Sequence, residues 1–185
     1  MAKVPVPGAT EEIVSWARRR GDEIALERKG EQVALFVGES EVRFPNGETW
    51  SLIRSDTGLI ANLGGGRVWK ADPERGRLTR SKNIAVTTTD AAGAEHHYSF
   101  VNESKSNWIV DDEAGQKQAQ FTGLNSGVRQ PLIELEEGHH LDDEEIIFLS
   151  WVARVALESR MLNTSTILII ALFIIAPISI LIYLI

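Results

Sequence analysis

The sequence predicts a mainly β protein: about twelve short strands forming a barrel or a strongly curved sheet around a C-terminal apolar helix, with a short N-terminal helix in front and one C-terminal transmembrane helix behind. Three observations predict this. From Ile24 to Glu136, short runs of β-forming residues alternate with turn strings such as "PNGE", "SDTG", "DAAGA" and "DEAGQ". The stretch "DDEEIIFLSWVARVALESR", Asp142 to Arg160, is apolar around nearly its whole helical circumference and needs a wall on most sides. Finally, Thr166 to Ile185 reads "TILIIALFIIAPISILIYLI" and carries no charge.

The elements follow in order. At the N-terminus, residues 1–23, Thr10 can cap a short amphipathic helix whose first turn holds Glu11 and Glu12 and which closes on "ARRRG". The β-rich domain, residues 24–160, has expected strands in "EIALER", "QVALFVG", "EVRF", "ETWSLIR", "GLIANL", "RVWKA", "RLTRS", "NIAVTTT", "EHHYSFV", "NWIVDD", "KQAQFTG" and "RQPLIELE". Its last element is a core helix over 144–160, with carboxylates in the first turn and arginines toward the end, as the helix dipole favours. Ser150, Arg154 and Glu158 form its one polar stripe, with Arg154 and Glu158 spaced to pair. Many even strands followed by one such helix fit a closed or nearly closed sheet wrapped around it.

Residues 166–185 are about as many as a helix needs to cross the roughly 30 Å hydrocarbon core of a bilayer. Arg154 and Arg160 precede the span and no basic residue follows it, which predicts a tail-anchored, single-pass membrane protein with its N-terminal domain in the cytoplasm. Met161 to Ser165 extend at most roughly 18 Å, so the domain is expected to stay close to the bilayer.

Composition excludes several classes. The chain has 185 residues and a net charge of −7, and every Asp, Glu, Lys and Arg lies ahead of the apolar segment. An acidic domain without a basic, aromatic-interleaved pattern is not a nucleic-acid binder. With no cysteine, disulfides, thiolate metal sites and a cysteine nucleophile are ruled out. "MAKVPVPGATEE" has no apolar core for a secretory signal.

Two segments carry a family resemblance. "NWIVDDEAGQKQAQFTG" is similar to a strand, Asp-x-x-Gly turn and strand unit, and "LIELEEGHHLDDEEIIFLSWVARVALESR" to a last strand and terminal helix, of the tubby C-terminal-like group. That group includes the LURP-one-related and phospholipid scramblase proteins. The resemblance covers Ile24 to Arg160 and implies a barrel threaded by the last helix. The chain departs from the group in lacking a recognisable phosphoinositide-binding pattern and in adding a terminal span, so no ligand residue carries over.

The densest basic run is Arg67, Lys70, Arg75, Arg77, Arg80 and Lys82, in "RVWKADPERGRLTRSK". These are the candidate lipid-headgroup residues, each cation near an anionic membrane contributing about 1 kcal/mol; solvated hairpin charge is the other reading. His96 with His97, and His139 with His140, are poor metal pairs, because adjacent strand residues point to opposite faces. "NLGGGR" lacks the Gly-Lys-Ser/Thr of a phosphate loop, and "DDEAG" lacks the alternating oxygens of a calcium loop. The acidic cluster around Glu134 to Glu145 reads either as a site for a basic partner or as a solvated helix entry. No nucleophile constellation, metal site or cofactor is expected. The expectation is a non-catalytic, membrane-anchored binding module meeting membrane lipid at the headgroups; the alternative is an accessory or regulatory subunit that binds a membrane protein partner through the anchor or a face of the domain.

Overall fold

The computed structural model describes residues 12–104, 107–123 and 132–159. Twelve strands run in order: β1 (Glu12–Trp16), β2 (Glu23–Arg28), β3 (Glu31–Val37), β4 (Glu41–Arg43), β5 (Thr49–Ser55), β6 (Gly58–Asn62), β7 (Val68–Pro73), β8 (Asn83–Thr89), β9 (Glu95–Asn102), β10 (Asn107–Asp112), β11 (Lys117–Thr122) and β12 (Leu132–Leu135). Each pairs antiparallel with its neighbours in sequence, and β12 pairs with β1 to close the barrel. One helix, α1 (residues 143–159), follows β12.

Period-two alternation decides which side chains point inward. In β5, Trp50 and Leu52 are buried while Thr49, Ser51 and Ile53 face out. In β8, Ile84, Val86 and Thr88 are buried in the same way. The space they enclose is filled by α1, which is buried at every position from Glu145 to Leu157 except Arg154.

Walls from opposite sides meet the helix. Trp69 of β7 packs on Phe148 at 5.5 Å between ring centroids, while Trp16 of β1 lies under the Arg154 guanidinium at 4.9 Å. A run of aromatic contacts leads inward from the wall, Phe44 to Trp50, Trp50 to Trp69 and Trp69 to Phe148. At Gly123 a Cβ would come within 2.8 Å of Leu157 Cδ2, so the absence of a side chain there makes room for the last turn of α1.

Because the strands alternate in direction, the barrel has two rims. α1 begins at the rim formed by the β2–β3, β4–β5, β6–β7, β8–β9 and β10–β11 connections, the entry rim. It ends at the rim formed by the β1–β2, β3–β4, β5–β6, β7–β8 and β9–β10 connections, the exit rim.

The structure corrects the sequence reading in two places. The N-terminal helix expected across Glu12 to Trp16 is strand β1, with Val14 and Trp16 buried and Ile13 exposed. Ile13, Val14, Trp16 and Ala17 suit an amphipathic helix as well as a strand over so short a span; what decides is closure, since β1 supplies the partner that both β12 and β2 require. The expected strand "RLTRS" is part of the β7–β8 loop. Its backbone closes turns instead of ladders: Arg80 N–H and Ser81 N–H both donate to the Arg77 carbonyl, at 3.1 and 3.0 Å. The expected span over 166–185 lies outside the described residues, and among the described residues no helix is long and apolar enough to cross a membrane.

Candidate functional site

The β7–β8 loop is held from inside and charged outside. Leu78 is buried, and its N–H donates to the Asp56 carbonyl of the β5–β6 turn at 2.9 Å. Ser81 is also buried, its hydroxyl donating to the Asn83 carbonyl. Around these anchors Arg75, Arg77, Arg80 and Lys82 are exposed, and none of them makes an ion pair among the described residues. The loop therefore presents fixed cations to solvent at the exit rim.

The other two candidates are placed elsewhere. Lys70 is exposed on the outer wall in mid-strand. Arg67 stands at the opposite, entry rim and is committed to Glu144 in a two-pronged pair, Nη1 to Oε2 at 2.7 Å and Nη2 to Oε1 at 3.0 Å. The sequence run of six is thus split three ways: a loop of four, one wall residue and one helix clamp.

A second basic group, not singled out as a site in the sequence, joins the four at the exit rim. Arg18, Arg19 and Arg20 are exposed in the β1–β2 connection, again without an ion pair among the described residues. This connection turns at Gly21, whose φ of +64° favours glycine, and Arg20 and Glu23 exchange backbone hydrogen bonds at 2.8 and 3.0 Å. The signal was present in "RRRGDE", a Gly-Asp turn between two alternating runs, but the helix reading absorbed it. Arg18 to Arg20 also form one lip of an open groove of about 980 Å³ on the outer face of β1 to β3, floored by Ser15, Ala17, Ala25 and Leu35.

The entry rim has the opposite character. Its acidic run anchors the helix, each of three consecutive carboxylates to a different part of the wall. Asp143 accepts from Arg28 of β2, Glu144 from Arg67, and Glu145 from β8 and β9. Arg28 also pairs with Glu12 of β1 at 2.6 Å, and with Lys29 nearby it holds the Glu12 carboxyl far below the usual carboxylate range, at about 2. The remaining loop carboxylates, Glu48, Asp90, Glu113 and Glu137, face no free Lys or Arg in the described entry-rim loops, because Lys29 and Arg67 are both paired.

Glu145 is the most enclosed ionisable group of the set, 2% exposed. Its Oε1 accepts from Thr88 Oγ1 at 2.7 Å and Tyr98 OH at 2.9 Å, with His96 Nδ1 also at 2.9 Å. Its Oε2 accepts from the Asp142 N–H at 3.1 Å, while the Asp142 carboxylate accepts from the Glu145 N–H at 2.7 Å. This reciprocal pair caps the start of α1. The hydrogen bond to Glu145 raises the pKa of His96, and burial followed by the Glu145 charge raises that of Tyr98. With Oε1 shared by three partners and Oε2 bonded to the Asp142 N–H, Glu145 ties the start of α1 to β8 and β9.

The histidines are not gathered. His96 faces Glu145, while His97 lies beside Thr87 on the outer wall at 3.3 Å. Among the described residues no group of three or more His, Asp or Glu side chains is placed to hold a metal ion. Comparison of the chain with protein-family models, curated proteins and solved structures finds no match.

Proposed function

We propose that this chain is a non-catalytic, membrane-anchored binding module of the tubby-like kind, whose exit rim meets the headgroups of an anionic bilayer. The observation that carries the reading is a coincidence of place. The unpaired cations Arg75, Arg77, Arg80 and Lys82 lie at the rim toward which α1 runs, and beyond α1 the sequence continues to the uncharged apolar stretch 166–185. A span there would draw this rim, and not the acidic one, toward the lipid. Each exposed cation then contributes about 1 kcal/mol within a Debye length of roughly 8 Å at physiological salt. The barrel closed around a C-terminal helix supports the tubby-like resemblance at the level of architecture.

The test uses the full chain reconstituted into vesicles with the domain outside. Trypsin should cut slowly at Arg75 to Lys82 in vesicles containing phosphatidylserine and faster in phosphatidylcholine alone, and about 1 M salt should abolish the difference. Equal cleavage in both lipids would overturn headgroup binding, and release of the chain by alkaline carbonate would overturn the anchor. Equal cleavage together with a co-purifying membrane protein would move the assignment to the alternative, an accessory subunit.

A further inference from the structure

Among the described residues the exit rim carries two unpaired cationic groups, and the strand order fixes their relation. The β1–β2 connection, with Arg18 to Arg20, and the β7–β8 loop, with Arg75 to Lys82, are separated by β3 to β6 in one direction around the barrel and by β9 to β12 in the other. They are diametrically opposed. Twelve strands at about 4.8 Å spacing and the usual tilt make a barrel roughly 24 Å across, with the end of α1 between the two groups.

Resting on the reading above, we propose that the exit rim is a two-sided dock for a flat anionic surface, in which Arg18 to Arg20 and Arg75 to Lys82 touch the bilayer together and hold the barrel axis upright. Three features of the rim favour a surface over a single small anion. No one headgroup bridges roughly 24 Å. The gap exceeds a Debye length, so the groups act as separate contacts. The centre between them is occupied by α1, whose last charged residue among those described, Glu158, is already shared by Arg54 and Arg154 at 3.1 and 2.8 Å, and the cavity that these three line is only about 10 Å³, too small for a phosphate. Glu39, Asp56 and Glu103 lie on this rim between the two cationic groups, while Asp22 and Glu74 lie within them. Among the described residues the unpaired cations of this rim thus form two clusters and not a continuous collar. The entry rim, lacking unpaired Lys or Arg in its loops among the described residues, is repelled by the same surface, so only one end of the barrel can dock.

The absence of cysteine makes this directly measurable. Single cysteines replacing Asp22, Thr79 or Ala92 would carry a fluorophore in the β1–β2 connection, the β7–β8 loop or the entry rim, with the full chain reconstituted into vesicles bearing a headgroup quencher. In phosphatidylserine vesicles the labels at 22 and 79 should be quenched and that at 92 spared. In phosphatidylcholine quenching at both should fall, and the combined replacements R18Q, R19Q and R20Q should release the label at 22, that contact weakening roughly a hundredfold at about fivefold per cation. Quenching at 79 without 22 would overturn the two-sided dock and leave the headgroup reading intact. Spared labels at both positions would overturn both. Equal quenching in the two lipids would show that the tether alone sets the position and would likewise overturn the dock. Displacement by soluble glycerophosphoserine would replace the surface with a single-headgroup site, and labels that respond only to added polyglutamate would assign the cations to an acidic polypeptide.

Discussion

Removing the Glu145 carboxylate should loosen the barrel from its helix more than any change on the rims. Glu145 is buried, and Thr88, Tyr98 and His96 converge on one of its oxygens. Glu145→Ala leaves two buried hydroxyls and a histidine without their acceptor and also removes half of the cap on α1. Leaving the two buried hydroxyls unsatisfied costs about 1–3 kcal/mol each, and a lost cap about 1 kcal/mol. Glu145→Gln keeps the shape and one acceptor oxygen, so its cost should be smaller, on the order of 1–2 kcal/mol.

The same network predicts a pH dependence of definite sign. The folded state raises the pKa of His96 above its ordinary 6.5, chiefly through the hydrogen bond to Glu145. Its stabilisation is therefore complete below about 6.5 and is lost as pH rises through the higher folded value. Since the His96 side chain is 41% exposed, solvent screening keeps this contribution below about 1 kcal/mol. Denaturant melts of the full chain in mild detergent at pH 5.5 and 8.5 would show the wild type less stable at the higher pH, with His96→Gln removing most of that slope. A Glu145→Ala cost under about 1 kcal/mol, or an unchanged slope in His96→Gln, would refute the clamp.

Three further outcomes follow from other contacts. Glu12→Gln should flatten the acid limb of a melting curve: with the Glu12 carboxyl depressed to about 2, the wild type keeps this contribution above the ordinary carboxylate value and loses it as pH falls toward 2. Trp69→Ala, deleting a fully buried ring between Trp50 and Phe148, should cost about 3–5 kcal/mol, read from the shift in denaturant midpoint at constant slope. Glu158→Ala should cost about 1–2 kcal/mol, because its carboxylate serves both Arg54 and the nearly buried Arg154 yet is itself 39% exposed; a double-mutant cycle with Arg54 would expose the shared part.

Much of the barrel was legible because its strands obey a simple rule. "NIAVTTT" alternates inward and outward throughout and "NWIVDD" does so as far as Val110, and the structure places β8 and β10 on those residues. The apolar circumference of α1 demanded enclosure, and a closed wall is what surrounds it. The two misread segments fail for one reason. "EIVSW" and "RLTRS" are five-residue runs, too short for a period of 2 to be told from one of 3.6, and their fates depend on neighbours distant in sequence. β1 exists because β12 and β2 need a strand between them, whereas "RLTRS" has no such gap to fill, since β7 and β8 pair directly.

The candidate site was harder to read because charge has no period. A run such as Arg67 to Lys82 looks continuous along the chain, but a barrel strand carries the chain from one rim to the other, and β7 does so between Arg67 and Arg75. Residues only one strand apart thus acquire opposite environments: Arg67 closes on Glu144 at the entry rim, while Arg75 stands unpaired among the described residues at the exit rim. Conversely, Arg18 to Arg20 and Arg75 to Lys82 share a rim although a large part of the chain separates them. The parity of strands between two loops, and not their distance in sequence, decides whether their charges face the same way. Applied to the acidic residues, the same parity brings Asp143 and Glu144 to Arg28 and Arg67, so that the arginines nearest the start of α1 are paired at that rim. Arg18 to Arg20 and Arg75 to Lys82, toward its other end, have no such partners among the described residues, and that asymmetry is what gives the barrel a direction.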